Sequence, residues 1–318
     1  VKTQVADWLF VYNTIQQVIE ENLNIRLKIF YFTLEMSKEE KMLSAFSNIL
    51  YVKEGIRIAP KDLRSTKADR LLTEETLDLI ASYETYFNKI EEIVEFIDDI
   101  RNPTGIFKFV DEYAKKNGTV HNRIVEFKDN KTNEIVTNEV FDYYEPNDSE
   151  EYVMVMIDHV SLISTEKEEG RQMNLHQSIV KLSSDYLIRL RNRYSYIPVI
   201  VQQQASAQES VENMKANRLK PTMDGLGDCK LTQRDANVIL GLFSPFRHEI
   251  KEYQGYDIMF FKDNARFLEI LGGREGGGGT VCPLYFDGAV NYFKELPKPN
   301  DTTHLKGVYD YINTIRNP

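Results

Sequence analysis

Three apolar runs in this sequence end beside residues that can handle charge. LKIFYFT (27–33) is followed by Leu34-Glu35, YVMVMI (152–157) by Asp158-His159, and IPVIV (197–201) by Gln202, Gln203 and Gln204. Short apolar runs rich in β-branched and aromatic residues read as strands buried on both faces. In a parallel sheet covered by helices, ligands bind outside the carboxyl ends of the strands. Two acids and an amide at such ends would gather on one rim. A carboxylate there can hold Mg²⁺, directly or through water, beside nucleotide phosphates. Taken singly, each acid serves equally well as a helix cap or a solvated loop residue.

Two further signals are local. Lys2-Thr3 opens a helix, as the last residues of a phosphate loop do, where backbone N–H groups and a lysine meet phosphate oxygens. The glycines of such a loop are absent, and Val1 stands where the last would be. The run Leu271-Gly-Gly-Arg274-Glu-Gly-Gly-Gly-Gly-Thr280 lies between two expected strands, so its glycines relax the backbone into a tight hairpin and display Arg274 at its root. Arg274 reads either as a surface arginine or as a guanidinium offered to an anion in a neighbouring subunit. The polar stretch 205–234 carries Lys215, Arg218 and Lys220, which read as a nucleic-acid path or as a solvated loop. His121, His159, His176, His248 and His304 show no metal-ligand spacing, and Cys229 and Cys282 form no CxxC motif.

The elements that must position these residues follow from periodicity. Val5, Trp8, Tyr12, Ile15 and Ile19 place a helix over 3–21. Ser37 reads as the N-cap of a helix running to Tyr51, with Glu39 and Glu40 in its first turn. A helix is expected over 73–88, and 93–97 is open between helix and strand. Thr104 reads as the cap of a helix running to 116. IVEF and EIVTNEVF flank a turn-rich Lys128–Asn133, which predicts an inserted β-hairpin over 119–145. A long helix is expected over 171–194. Strands are expected at 238–242, 258–261, 266–271, 281–286 and 289–293, then a polar tail after Pro297 with a helix over 302–315. There are no internal repeats. The pattern predicts an α/β fold with a mostly parallel sheet flanked by helices.

Composition bounds the function. The chain has 318 residues, 42% hydrophobic and 28% charged, with 49 acidic and 39 basic residues and a net charge of −10. No segment reaches the length of a membrane span, so no membrane partner is expected. Two distant cysteines argue against a disulfide scaffold and fit a reducing compartment, the cytoplasm. The acidic balance argues against bulk coating of nucleic acid, although not against a local basic channel. The chain opens on Val1 without a signal peptide, which reads as a fragment or a processed chain.

In order, these residues resemble the C-terminal motor domain of the DnaB family of replicative helicases, within the RecA-like P-loop ATPases. Tyr31-Phe-Thr-Leu-Glu-Met-Ser37 is similar to that family's F-S-L-E-M-S, and Phe96-Ile-Asp-Asp99 to its I-D-D strand end, which makes 93–97 a strand. Met156-Ile-Asp-His-Val-Ser-Leu-Ile163 resembles the Walker B stretch, and Ile197–Gln204 resembles V-P-V-V-A-L-S-Q. Thr232–Ile239 resembles E-Q-D-A-D-L-I, and Ile270–Val281 resembles I-G-K-Q-R-N-G-x-x-G-T-V.

The resemblance covers residues 1–296 and implies one RecA-like ATPase domain, with 297–318 as a tail. It implies ATP and Mg²⁺ as cofactors. Lys2 and Thr3 would be the Walker A lysine and the Mg²⁺-binding hydroxyl, Asp158 the Mg²⁺ support, and Glu35 the residue that orients the attacking water. Gln204 would sense the γ-phosphate and Arg274 would be the arginine finger reaching the next subunit. Lys215, Arg218 and Lys220 would face single-stranded DNA in a homo-hexameric ring that unwinds duplex, with a primase or a helicase loader as further partners. Divergence and the extra hairpin suggest a viral source, in which case the compartment is the host cytoplasm. The chain departs from the family in three places: the loop glycines, the strand before that loop, and Gly272, where the family has lysine. The alternative is a degenerate RecA-like nucleotide-binding protein with a structural or assembly role, for example in a virion. A recombinase or clock-type ATPase is a third reading.

Overall fold

The computed structural model describes residues 1–21, 23–66, 71–128, 135–168, 170–205, 210, 212–213, 219–274, 276 and 278–316. The chain forms two compact units. One comprises Val1–Thr14, Met36–Asn88 and Val201–Pro318; the other comprises Ile15–Glu35 and Lys89–Ile200.

The second unit is built on a four-stranded sheet. Its strands are β1 (Arg26–Thr33), β2 (Val94–Ile97), β5 (Glu151–Asp158) and β6 (Ile197–Val201), in the order β2-β1-β5-β6. β1 pairs in parallel with both β2 and β5. The central strands are buried through their C-terminal halves, as apolar runs without alternation require. Helix α3 (Pro103–Lys116) lays Phe109 and Tyr113 edge-on against Phe30 of β1. Full burial of one such aromatic ring contributes roughly 1.5–3 kcal/mol. Helix α4 (Leu175–Val180) continues through an i→i+5 turn, Lys181–Leu187, into α5 (Ile188–Tyr194). β3 (Gly118–Lys128) and β4 (Ile135–Pro146) pair antiparallel as a separate ribbon with a bulge at His121/Asn122; the turn that joins them lies outside the described residues.

The first unit carries an antiparallel sheet of β7 (Val238–Phe243), β8 (Ala265–Gly273), β9 (Val281–Asp287) and β10 (Tyr292–Glu295), in the order β10-β9-β8-β7. Phe243, Tyr256, Phe261 and Phe267 form its core, together with Leu305 and Ile312 of the terminal helix Thr302–Arg316. Val5 of the opening helix α1 (Lys2–Asp7) joins Leu284, Phe286 and Phe293. Helix α2 (Lys38–Glu54) begins in a capping box of Ser37 and Glu40 and ends at Gly55, whose φ of 68° supplies the left-handed cap.

Several local expectations change. Ile258–Phe261 is a helical turn, not a strand: the Asp257 side chain accepts from Phe260 N and caps it. The last strand begins at Tyr292, because Asn291 has φ 52° and turns the chain just before it. The cap of α3 is Asn102, followed by Pro103 at the first helical position, and Thr104 instead gives its backbone N–H to Glu166. The stretch 73–88 falls into two helices, Glu74–Ser82 and Glu84–Ile93. The long helix starts at Leu175, capped by Asn174.

Candidate functional site

In the second unit the parallel register sets Thr33 opposite Asp158, so β1 and β5 end level with each other. Glu35 follows two residues beyond Thr33, which puts both acids at one rim. They differ in environment. Asp158 is fully buried, whereas the Glu35 side chain is 54% exposed. Tyr31 Oη donates to Asp158 Oδ2 at 3.0 Å, and Leu34 N donates to the Asp158 carbonyl at 2.8 Å. His159 Nε2 lies 3.9 Å from Glu35 Oε2. Spacing in the sequence gave no reason to select His159; the fold brings it beside the acid.

In the first unit, Lys2 and Thr3 open α1 after Val1, whose carbonyl accepts from Val5 N at 3.0 Å. Lys2 and Gln204 line one cavity of about 930 Å³, together with Ser244, Arg247, His248 and Arg266. Arg266 is buried. Its Nη1 donates to the carbonyls of Asp263 at 2.7 Å and Ala265 at 2.8 Å, and its guanidinium stands over the Phe286 ring at 5.0 Å. Burial pulls the Arg266 pKa below its ordinary value, against the opposing pull of Asp263. Among the described residues, Arg266 Nε and Ser244 Oγ find no hydrogen-bond partner. The cavity therefore offers two unmet donors beside several cations, a setting that favours acceptor oxygens and negative charge.

Gln204 is held by a bridge to Leu226, with Gly227 N donating to Gln203 O at 2.9 Å and Ala205 N to Gly225 O at 2.8 Å. A Cβ at Gly227 would meet Gln203 O at 3.1 Å, so glycine permits this approach. Gln202 anchors the same segment. Its amide donates to the carbonyls of Gly227 and Cys229, and its oxygen accepts from Thr232 Oγ1 at 2.8 Å.

Arg274 is exposed after β8 and does not line the cavity. Its backbone N–H donates to Asn237 O at 3.0 Å and Nη2 to Arg234 O at 2.9 Å. The turn beyond it needs glycine at 276 and 279, where φ is 96° and 87°. Gly272, where the resemblance leads one to expect lysine, packs against Met223 Sδ, which a Cβ would meet at 2.8 Å. Of the three cations expected to face DNA, Lys215 and Arg218 lie outside the described residues. Lys220 Nζ is 3.2 Å from Glu269 Oε1.

No group of three or more His, Cys, Asp or Glu that could hold a metal occurs among the described residues. The hydroxyl of Thr3 and the carboxylate of Asp158 are nonetheless hard oxygen donors, the type Mg²⁺ takes singly while keeping waters and phosphate oxygens for the rest of its shell. No helix among the described residues is long and apolar enough to cross a membrane.

Comparison with known proteins assigns the fold. The chain matches a DnaB-like replicative helicase whose structure was determined with its primase interactions, at 16% identity and a TM-score of 0.58, covering 85% of this chain and 51% of that one. It also matches a second solved structure, a helicase ATPase domain, at 15% identity and a TM-score of 0.59, covering 85% of this chain and 75% of that one. The chain thus spans about half the length of the DnaB-like helicase it matches. The α/β fold is that of a DnaB-like helicase ATPase domain. No protein-family model and no curated protein matches the sequence.

Proposed function

We propose that the chain is the motor part of an ATP-dependent replicative DNA helicase that works as a homo-hexameric ring on single-stranded DNA. The observation that carries this reading is the cavity holding Lys2 and Gln204 among unmet donors, in a chain with the fold of helicase ATPase domains. In this reading Lys2 meets the nucleotide phosphates and Gln204 reports on the terminal one. Glu35, the exposed acid of its rim, orients the attacking water. Thr3 and Asp158 hold Mg²⁺, which when bound neutralises phosphate charge. Arg274 is displayed for the nucleotide of the next subunit, so hydrolysis depends on assembly. Lys215, Arg218 and Lys220 face the DNA, and a primase or a loader is a further partner.

A second reading, a nucleotide-binding protein with a structural or assembly role, is favoured by the net charge of −10 and by the engagement of Lys220 with Glu269. The test is phosphate release by the full-length protein with and without single-stranded DNA, beside Glu35→Gln and Arg274→Ala. The motor reading expects DNA-stimulated turnover that both substitutions abolish. Turnover no higher in the wild type than in the variants leaves the second reading.

A further inference from the structure

We infer that Tyr31 is a positioning residue for the Asp158 carboxylate, and through it for the metal of the nucleotide complex; this rests on the reading of Asp158 given above. The argument begins with strand geometry. Thr33 and Asp158 are register partners and share a face of the sheet. Tyr31 is two residues before Thr33 on the same strand, so it occupies that face as well. From there a tyrosine reaches diagonally to the side chain two positions along the neighbouring strand.

The ring is held from the other side. Tyr31 pairs with Phe96 of β2, and their ring centroids lie 5.4 Å apart. Phe30 and Phe32 flank Tyr31 with the same burial and no hydroxyl. Packing alone therefore calls for nothing more than phenylalanine at 31. The added hydroxyl is buried, and a buried hydroxyl is costly unless it is bonded. Its bond at 3.0 Å goes to Oδ2 of Asp158, which is itself wholly buried. That bond limits rotation of the carboxylate, so the direction in which it presents its oxygens is set by the sheet. Outer groups that orient a metal-supporting carboxylate typically govern metal affinity by about 10–100-fold.

The experiment measures Mn²⁺ binding to the full-length protein by electron paramagnetic resonance, in the presence of a non-hydrolysable ATP analogue. Wild type, Tyr31→Phe, Asp158→Asn and the double variant are compared, each with a thermal melt and with analogue affinity in the absence of metal. Tyr31→Met, which also lacks the hydroxyl, replaces Tyr31→Phe if the latter does not fold. Tyr31→Phe is expected to weaken Mn²⁺ binding about 10–100-fold, to leave metal-free analogue binding unchanged, and to add nothing in the Asp158→Asn background. Wild-type Mn²⁺ affinity in Tyr31→Phe alongside a loss in Asp158→Asn overturns the inference and spares the reading of Asp158. So does an equal loss for Tyr31→Phe in both backgrounds. Wild-type affinity in Asp158→Asn overturns both together.

Discussion

Lys41 Nζ lies 3.0 Å from Asp7 Oδ1 and 3.1 Å from Asp7 Oδ2, with the two side chains only 1% and 4% exposed. The pair joins the end of α1 to the first turns of α2, inside one unit. Two charges removed from water this completely tolerate each other only because both carboxylate oxygens are engaged.

Removing one partner should therefore be far worse than removing both. Lys41→Met leaves a buried carboxylate alone and is expected to lower stability by about 3–5 kcal/mol in urea unfolding. Asp7→Leu combined with Lys41→Met should recover most of that loss. Strict additivity of the two single losses would mean that the pair is not coupled.

Acid should loosen the second unit through Glu166. Burial alone would raise its pKa, but hydrogen bonds from Thr104 N, Asn102 and Thr104 Oγ1, with the Lys181 charge, outweigh burial and hold it below the ordinary 4.5. A carboxylate with a depressed folded pKa contributes stability above its unfolded pKa and loses it as pH falls through the folded one. Melting temperature should therefore drop as pH falls below about 4.5, and Glu166→Gln should flatten that limb. An unchanged acid limb in the variant counts against the assignment.

Gln202 is expected to matter for nucleotide binding without lining the cavity. Gln202→Leu strands the carbonyls of Gly227 and Cys229 and the hydroxyl of Thr232, at about 1–3 kcal/mol for each buried group left unpaired. It should also free the segment that bridges to Gln204. Calorimetry with an ATP analogue is expected to show weaker binding even where the protein remains folded. Unaltered affinity would show that Gln204 is held independently.

Completion of each site by a neighbour has its own signature. Glu35→Gln and Arg274→Ala should each be inactive, the second by about 10³–10⁵-fold. Mixed before assembly, they should regain part of the turnover, since some sites then pair an intact Glu35 with an intact Arg274. Failure of every mixing ratio to restore turnover would place Arg274 in its own subunit's chemistry or in none.

The parallel sheet was legible because its strands are apolar on consecutive positions; Ile29–Phe32 and Val153–Ile157 announce burial on both faces. The acids after them were legible for the same reason, as charges abutting apolar runs. What escaped reading was set by contacts between distant segments. Ile258-Met-Phe-Phe261 has strand composition, yet four apolar residues carry no period, and the Asp257 cap decides for helix. Gln202, Gln203 and Gln204 look alike in the sequence, and only the carbonyls of Gly227 and Cys229 separate the anchor from the cavity residue. Tyr31 hid as one aromatic among three, since nothing local shows where its hydroxyl goes. The opening helix was placed correctly, but its i→i+5 turn at Trp8–Tyr12 left no mark in the pattern.

The other wide turn, Lys181–Leu187, makes chain length itself a constraint. Lys181 Nζ stands 3.5 Å from Glu166 Oε2, and Tyr186 Oη 2.8 Å from Thr104 Oγ1, which in turn bonds Glu166. In an ordinary α-helix, residues five apart point about 140° away from each other; the i→i+5 ladder brings them back over one another. Deleting a single residue between Lys181 and Tyr186 would restore the ordinary ladder and swing one of the two off the cluster. This helix is therefore one in which a conservative exchange is mild and a one-residue gap is not, so related chains that keep the cluster must keep the spacing before its chemistry.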